Sequence, residues 1–450
     1  MRAHPRFIRL FSLAVVILAA AVIDAYAQSD LVGSWEGAVE RYGKRWRVNM
    51  RVSKIGEGFK ARVDFPDADG YGREFTVAID PNGRILLKRP QPSGVPIIFD
   101  GIVRDRRFSG TWSGFGQTAA FSLVPMSWAE PEWPDKEVTF KNGNVTLAGS
   151  LITPHRDGPF PAIVLTHGGD QKERSTNRSW ALHFIRAGFA VLIYDKRGSG
   201  ASTGDTRSAS MEDLAGDASA AVTFLAARPE IDPERVGVAG HSQGGWVAPL
   251  ASTMNEKVAF VIASAASGVS PDKQSIYHRA NVMRMAGFPE ETIALASDLR
   301  RRLYVTGRML LDGDPRVATE RKKTSDELSK YANEPWLDEA ALPPNLQNDN
   351  PTPGGLKLLF FEPGPMWAKV KVPVLLIWGD KDTVVPVDEG RANIETALQS
   401  AGNRSVTVKT FPNVDHAVAV VPAKGEWDFP RVALDYYKYM VEWASRTAER

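Results

Sequence analysis

The stretch "RVGVAGHSQGG" spans residues 235–245. Its first half, Val236-Gly237-Val238-Ala239, is short and apolar, the composition of a strand buried on both faces. Its second half sets one serine, Ser242, between Gly240 and Gly244. Glycine weakens strands and helices, so its concentration here needs a local cause. A serine at the tip of a tight strand-to-helix turn is held in strained backbone angles. Residues two positions to either side then come too close to tolerate side chains. Gly240 and Gly244 fill those positions, and G-x-S-x-G reads as a nucleophile elbow. The helix that follows adds the positive end of its dipole beneath the serine.

The pattern continues outward from the elbow. Further buried strands are "PAIVLTHG" (161–168), "FAVLIYD" (189–195), "VAFVIAS" (258–264), "VPVLLIWGD" (372–380) and "SVTVKTF" (405–411). Helical segments lie near 177–187, 211–227, 243–254, 387–400 and 429–446. A hairpin, "VTFKNGNVTLAGSLITP" (138–154), precedes them with Asn142-Gly143 in its turn. Continuous apolar strands alternating with helices predict an α/β fold, a mostly parallel sheet with helices on both faces. Roughly 105 residues separate the strand ending at Ser264 from the one starting at Val372, too many for a structureless loop. Ile293, Ala296, Leu299, Leu303 and Leu310 recur at helical spacing there. A helical lid insertion is therefore expected at about 267–371, over the strand ends.

A serine nucleophile needs a base, and the chain has seven histidines. His4 lies in the leader, His155 precedes the core strands, His183 sits mid-helix and His278 falls in the insertion. His241 is inside the elbow and His167 belongs to the turn after the first central strand. His416, in "NVDHAV" (413–418), follows the last strand and stands before the final helix, where it can reach Ser242. An orienting carboxylate comes from "WGDKDTVVP" (378–386). Asp382 sits clear of the strand and is preferred to Asp380, which reads as a brace of the turn. The oxyanion donors are expected to be the backbone N–H groups of Gln243 and Gly169, with Gly168 or Asp170 as neighbours by one position.

Residues 30–125 differ. Short alternating runs such as "RWRVNMRV" (45–52), "FKARVDF" (59–65), "EFTVAI" (74–79) and "RILLKR" (84–89) predict a small all-β domain, barrel or sandwich. "GSWEG" (33–37) is echoed by "GTWSG" (110–114), and the pair is expected to form the closing strands. "PMSWAEPEWP" (125–134) reads as a linker, set at 126–135, with the α/β domain at 136–450. Arg2, Arg6 and Arg9, the apolar run Leu10–Ile23 and Ala25-Tyr26-Ala27 predict a signal peptide over 1–27, cut after Ala27. That implies a periplasmic or secreted protein with no membrane span in the mature chain. There is no cysteine, which excludes disulfides, thiolate chemistry and Cys-ligated zinc. The net charge of +2 gives no broad case for nucleic acid. The clusters Arg300–Arg302 and Arg321–Lys323 read as solvated helix faces. No metal, nucleotide or dinucleotide motif is found, so no cofactor is expected.

"HGG" (167–169), "YDKRGSGAS" (194–202), "GHSQGG" (240–245), "GDKDTVVP" (379–386) and "DH" (415–416) together resemble the α/β-hydrolase superfamily over 136–450. Within it, the chain is most similar to bacterial serine esterases and the serine aminopeptidase-like branch. The chain order Ser242, Asp382, His416 is that of this superfamily. Exported members of the esterase group carry a small β-rich domain ahead of the hydrolase domain, and 30–125 resembles it. The resemblance implies an exported serine hydrolase acting on a small-molecule carboxylic ester through an acyl-enzyme. An aminopeptidase or acyltransferase on the same triad is the nearest alternative. An inactive binding protein on this fold, or a carbohydrate- or lipid-binding N-terminal domain, belongs to a different class. The Tyr194–Ser202 loop reads equally as a plain turn and as a substrate contact. Acyl chain, alcohol and oligomeric state are not written in these motifs.

Overall fold

The computed structural model describes residues 31–449 apart from 69, 92, 93, 127–132, 347–350, 424, 425, 427 and 434. The expected signal peptide and most of the expected linker lie outside the described residues. The chain forms two compact units. One holds residues up to Glu132 with the segment Ala423–Arg431, and the other holds Trp133–Pro422 with Val432–Arg450.

The first unit is a closed antiparallel barrel of eight strands. These are β1 (Gly33–Arg41), β2 (Lys44–Ile55), β3 (Gly58–Phe65), β4 (Gly70–Ile79), β5 (Arg84–Arg89), β6 (Ile97–Arg104), β7 (Arg107–Gly114) and β8 (Gln117–Pro125). Strand alternation fills the interior: Trp46, Val48, Met50 and Val52 of β2 all point inward and are buried. They meet Phe65, Phe99, Phe108, Trp112 and Phe121 in one aromatic core. The barrel closes through β1 and β8, with Trp35 opposite Pro125. "GTWSG" therefore lies on β7, one strand short of closure, because the eighth strand completes the sheet. Both echoed tryptophans, Trp35 and Trp112, are nonetheless buried inside.

The segment Ala423–Arg431 adds Phe429 to this core. Its ring stacks on Trp46 with centroids 5.1 Å apart and planes 4° from parallel. Arg431 donates to the Arg45 carbonyl and pairs with Asp67. The last helix consequently starts at Tyr436 rather than 429, since Phe429 gains more from stacking in an apolar core than from one helical turn.

The second unit is an eight-stranded sheet in the order β16-β15-β14-β13-β11-β12-β10-β9. Its strands are β9 (Asp135–Asn142), β10 (Val145–Ile152), β11 (Phe160–Leu165), β12 (Ala190–Tyr194), β13 (Ile231–His241), β14 (Val258–Ser264), β15 (Val374–Gly379) and β16 (Val406–Phe411). The hairpin β9–β10 joins antiparallel to β12, and every other pairing is parallel. Alternate residues of each apolar strand feed two cores. Ala162 and Val164 of β11 pack under α2 (Met211–Ala226) and α3 (Gly244–Met254), with α10 (Val387–Ser400) on the same face. Ile163 and Leu165 pack under α1 (Arg178–Arg186) and α11 (Tyr436–Ala448). This double coverage is why these strands read as unbroken apolar runs.

Between β14 and β15 lies a helical insertion: α4 (Pro271–Met285), α5 (Glu290–Leu311), α6 (Val317–Ser329), α7 (Trp336–Glu339), α8 (Pro353–Leu359) and α9 (Pro363–Trp367). It has its own small core, in which Ile293, Ala296 and Leu299 of α5 meet Leu328 and Trp336. Arg300 departs from the expected solvated face. It is buried and donates to the carbonyls of Ala340 and Ala341, while Arg301 and Arg302 stay exposed beside Asp298. Among the described residues, no helix is long and apolar enough to cross a membrane.

Candidate active site

The order β13-β11-β12 reverses the direction of winding at the boundary between β11 and β13. In open α/β sheets such a switch point opens a crevice at the carboxyl ends of the strands. Ser242 follows β13 there, and the turn His167–Asp170 follows β11.

Ser242 has φ +56°, in the left-handed region that a side chain rarely adopts. Its N–H donates to Ser264 at 2.9 Å, and its carbonyl accepts from Gly245 at 2.8 Å. The elbow leaves no room beside it. A Cβ on Gly240 would overlap the Gly244 carbonyl and Thr166 Oγ1. One on Gly244 would come within 2.8 Å of Thr166 Oγ1 and 3.1 Å of the His167 carbonyl. Gln243 caps α3, so its N–H lies among the first, unpaired donors of that helix.

His416 occupies a loop pinched by a bridge between Val414 and Val420. Its Nδ1 lies 2.8 Å from Asp382 Oδ2, and its Nε2 lies 2.9 Å from Ser242 Oγ. The carboxylate can only accept, so Nδ1 carries the proton and Nε2 is left to accept from the serine hydroxyl. The Asp382 carboxylate is wholly buried. Its other oxygen accepts from the N–H groups of Val384 at 2.7 Å and Val385 at 2.9 Å. Asp380 is exposed, and its N–H braces the turn by donating to the Phe411 carbonyl. Helix α4 of the insertion reaches the same loop: Tyr277 donates to the Asp382 carbonyl and Asn281 to that of Thr383.

Among the other described histidines, His278 of α4 also approaches this loop, its Nδ1 3.5 Å from the Thr383 carbonyl. His155 stacks on Trp133 and His183 on Tyr437. His241 sits 5.0 Å from the His416 ring, and burial, reinforced by His416, pushes it down to about 3. His167 is likewise pushed down to about 3 by burial and by Lys196. Both rings are neutral near pH 7. A cavity of about 230 Å³ opens beside Gly168, walled by Trp180, His241, Ala417, Tyr436 and Tyr437. Among the described residues, no cluster of three His, Asp or Glu is placed to hold a metal ion.

The family model for the alpha/beta hydrolase family matches residues 163–424. The chain belongs to that family. Two curated relatives are similar to parts of this chain. One is a thiohydrolase of Arthrinium phaeospermum, 34% identical over 28% of this chain and 42% of its own length. The other is the quorum-quenching protein AidA of Acinetobacter baumannii, 24% identical over 56% of this chain and 79% of its own. Among solved structures, an esterase of Pyrococcus furiosus aligns with a TM-score of 0.42 and 19% identity, over 70% of this chain and 90% of that one. The chain thus spans less than half the length of the thiohydrolase.

The Tyr194–Ser202 loop is chiefly scaffold. Arg197 makes a two-pronged pair with buried Asp217 of α2, with 2.7 Å contacts at Nε and Nη2. Asp195 accepts from the N–H groups of Arg174 and Ala201. Lys196, between them, turns the other way. It is buried, and its Nζ reaches the turn after β11 and the side chain of Gln243. Sequence reasoning passed over it. It stands in a run of three charges, Asp195-Lys196-Arg197, at the carboxyl end of a central strand, where ligands gather, but the run does not say which of the three faces the site.

Proposed function

We propose that this alpha/beta hydrolase is a serine hydrolase that cleaves carboxylic esters. The observation that carries the proposal is the bridging of His416 between the strained Ser242 hydroxyl and the buried Asp382 carboxylate. His416 Nε2 takes the proton as Ser242 Oγ attacks the ester carbonyl. Asp382 holds the imidazole in the required tautomer and stabilises the imidazolium that forms. The backbone N–H groups of Gln243 and Gly169 receive the oxyanion. The tetrahedral adduct collapses, the alcohol leaves with the proton from His416, and the acyl group remains on Ser242. His416 then deprotonates a water, which attacks the acyl-enzyme, releases the acid and restores the serine.

A panel of p-nitrophenyl esters from acetate upward, with a thioester and an aminoacyl p-nitroanilide beside it, tests this. The thioester enters because one relative is named a thiohydrolase. Ester turnover is expected, and Ser242→Ala is expected to lower it about a million-fold. Turnover of the anilide alone moves the assignment to an aminopeptidase. Absence of turnover on every member leaves a binding protein on this fold.

A further inference from the structure

We infer that Lys196 is a positioning residue of this site, tying the turn after β11 to the elbow so that the two oxyanion donors share one fixed geometry. The inference rests on the serine hydrolase reading above.

An ammonium has three N–H donors. Those of Lys196 are matched by three acceptors: the Gly168 carbonyl at 3.0 Å, the Asp170 carbonyl at 3.0 Å and Gln243 Oε1 at 2.6 Å. The backbone N–H of Lys196 adds a 3.0 Å bond to the Lys172 carbonyl, so the turn is held at several points from one residue. The Gly168 contact matters most. The Gly168 carbonyl and the Gly169 N–H belong to one planar trans peptide and point in opposite directions. Holding that carbonyl therefore aims that N–H. A cation on the carbonyl also polarises the peptide and makes its N–H a stronger donor. The Gln243 contact does the equivalent for the other donor's residue by anchoring its side chain.

Space supports the arrangement. A Cβ on Gly169 would meet nothing within 4 Å, so the turn is open on that side, and the ammonium holds it from the other through the Gly168 carbonyl. Gly168 stands against the nucleophile, its would-be Cβ 3.8 Å from the Ser242 Cβ. Burial lowers Lys196 to about 8, with Asp170 opposing and Lys172 adding to the shift. Neutral His167 and the carboxylate of Asp195 are the other titratable neighbours. Above pH 8 the ammonium loses its charge and one N–H, and the aim of Gly169 slackens.

The test uses the full chain, the best p-nitrophenyl ester, and an inhibitory boronic acid that forms a tetrahedral adduct on serine. Rates are expressed per active site titrated with a fluorophosphonate. Lys196→Met is expected to lower kcat about 100-fold, as a sub-ångström to ångström misplacement does, with KM within about twofold. Boronate inhibition should weaken by a similar factor, and the wild-type decline in kcat above pH 8 should vanish. A residue that only supports folding would change the titrated fraction and the melting temperature, leaving the rate per site and the pH profile unmoved. That result overturns the inference. Should Lys196→Met not fold, Gln243→Leu strips one acceptor from the ammonium and should shift the alkaline decline to lower pH. An unmoved decline, or none in the wild type, overturns it equally. Ser242→Ala separates the two levels. Turnover that survives it, or no ester turnover at all, sinks the hydrolase reading. Turnover abolished by it but untouched by Lys196→Met sinks only the role of Lys196.

Discussion

The barrel of β1–β8 and the open sheet of β9–β16 are both eight strands wide, and they place their strain differently. Closure pairs every barrel strand with two neighbours, and aromatic rings fill the interior. Its left-handed residues sit in tight hairpin turns, as at Asp105 and Arg106 between β6 and β7, where a right-handed twist favours positive φ at both central positions. In the second unit the left-handed residues Asp170, Ser242, Ala265, Asn413 and Val418 lie at carboxyl strand ends and in the loop of His416, while Ala341 and Asp435 fall beside helices. A closed sheet uses strain to turn the chain, and an open one uses it to present side chains. The barrel should therefore answer to stability measurements and the strand ends to kinetic ones.

The sharpest way to break this division is to remove the proposed base. His416→Ala should lower kcat about a million-fold, with Asp382→Asn about ten-thousand-fold because the imidazole is then held in the wrong tautomer. Neither should shift the melting temperature as far as a core truncation does, and calorimetry beside steady-state kinetics reads both. Next in size is Trp46→Ala in the barrel. It deletes a buried ring stacked 4.4 Å from Phe65 and 5.1 Å from Phe429. Such a truncation destabilises by about 3–5 kcal/mol, while kcat per titrated site should be unchanged. A Trp46→Ala protein that folds yet loses turnover would remove the distinction.

What the sequence makes legible follows the same line. The barrel strands are readable because alternation is a local rule: "RWRVNMRV" buries Trp46, Val48, Met50 and Val52 without knowledge of any partner. The elbow is readable because the crowding of Gly240 and Gly244 comes from a turn five residues long. The contact of Asp382, rather than Asp380, with His416 is readable from its distance past the strand end. Three features are not local and were missed. The strand that closes the barrel depends on strand count. Phe429 reads as the start of a helix until Trp46 is in place to stack on it. Lys196 sits between two residues that build scaffold, and nothing in "YDKRGSGAS" says which way one loop side chain turns.

The smallest effect is the one that compares the two regions under a single change of condition. Residues 31–132 and 423–431 contain no histidine, whereas His167 lies buried at the end of β11 and His241 half-buried at the end of β13. Each is depressed to about 3 from an ordinary value of 6.5. Between those limits the unfolded chain binds protons that the native one does not, so native stability rises with pH and is lost on acidification. Well inside the window each histidine contributes about 1.4 kcal/mol per pH unit. In the barrel, Asp100 is held below the usual carboxylate range by Arg84, so its contribution is present above the ordinary aspartate value and lost only as pH falls further. Hydrogen exchange resolved by segment at pH 7 and pH 5 should therefore show β13 amides losing protection while those of β2 keep theirs. Parallel loss in both strands would mean that the two sheets unfold as one, and that the acid sensitivity of the strand ends is not theirs alone.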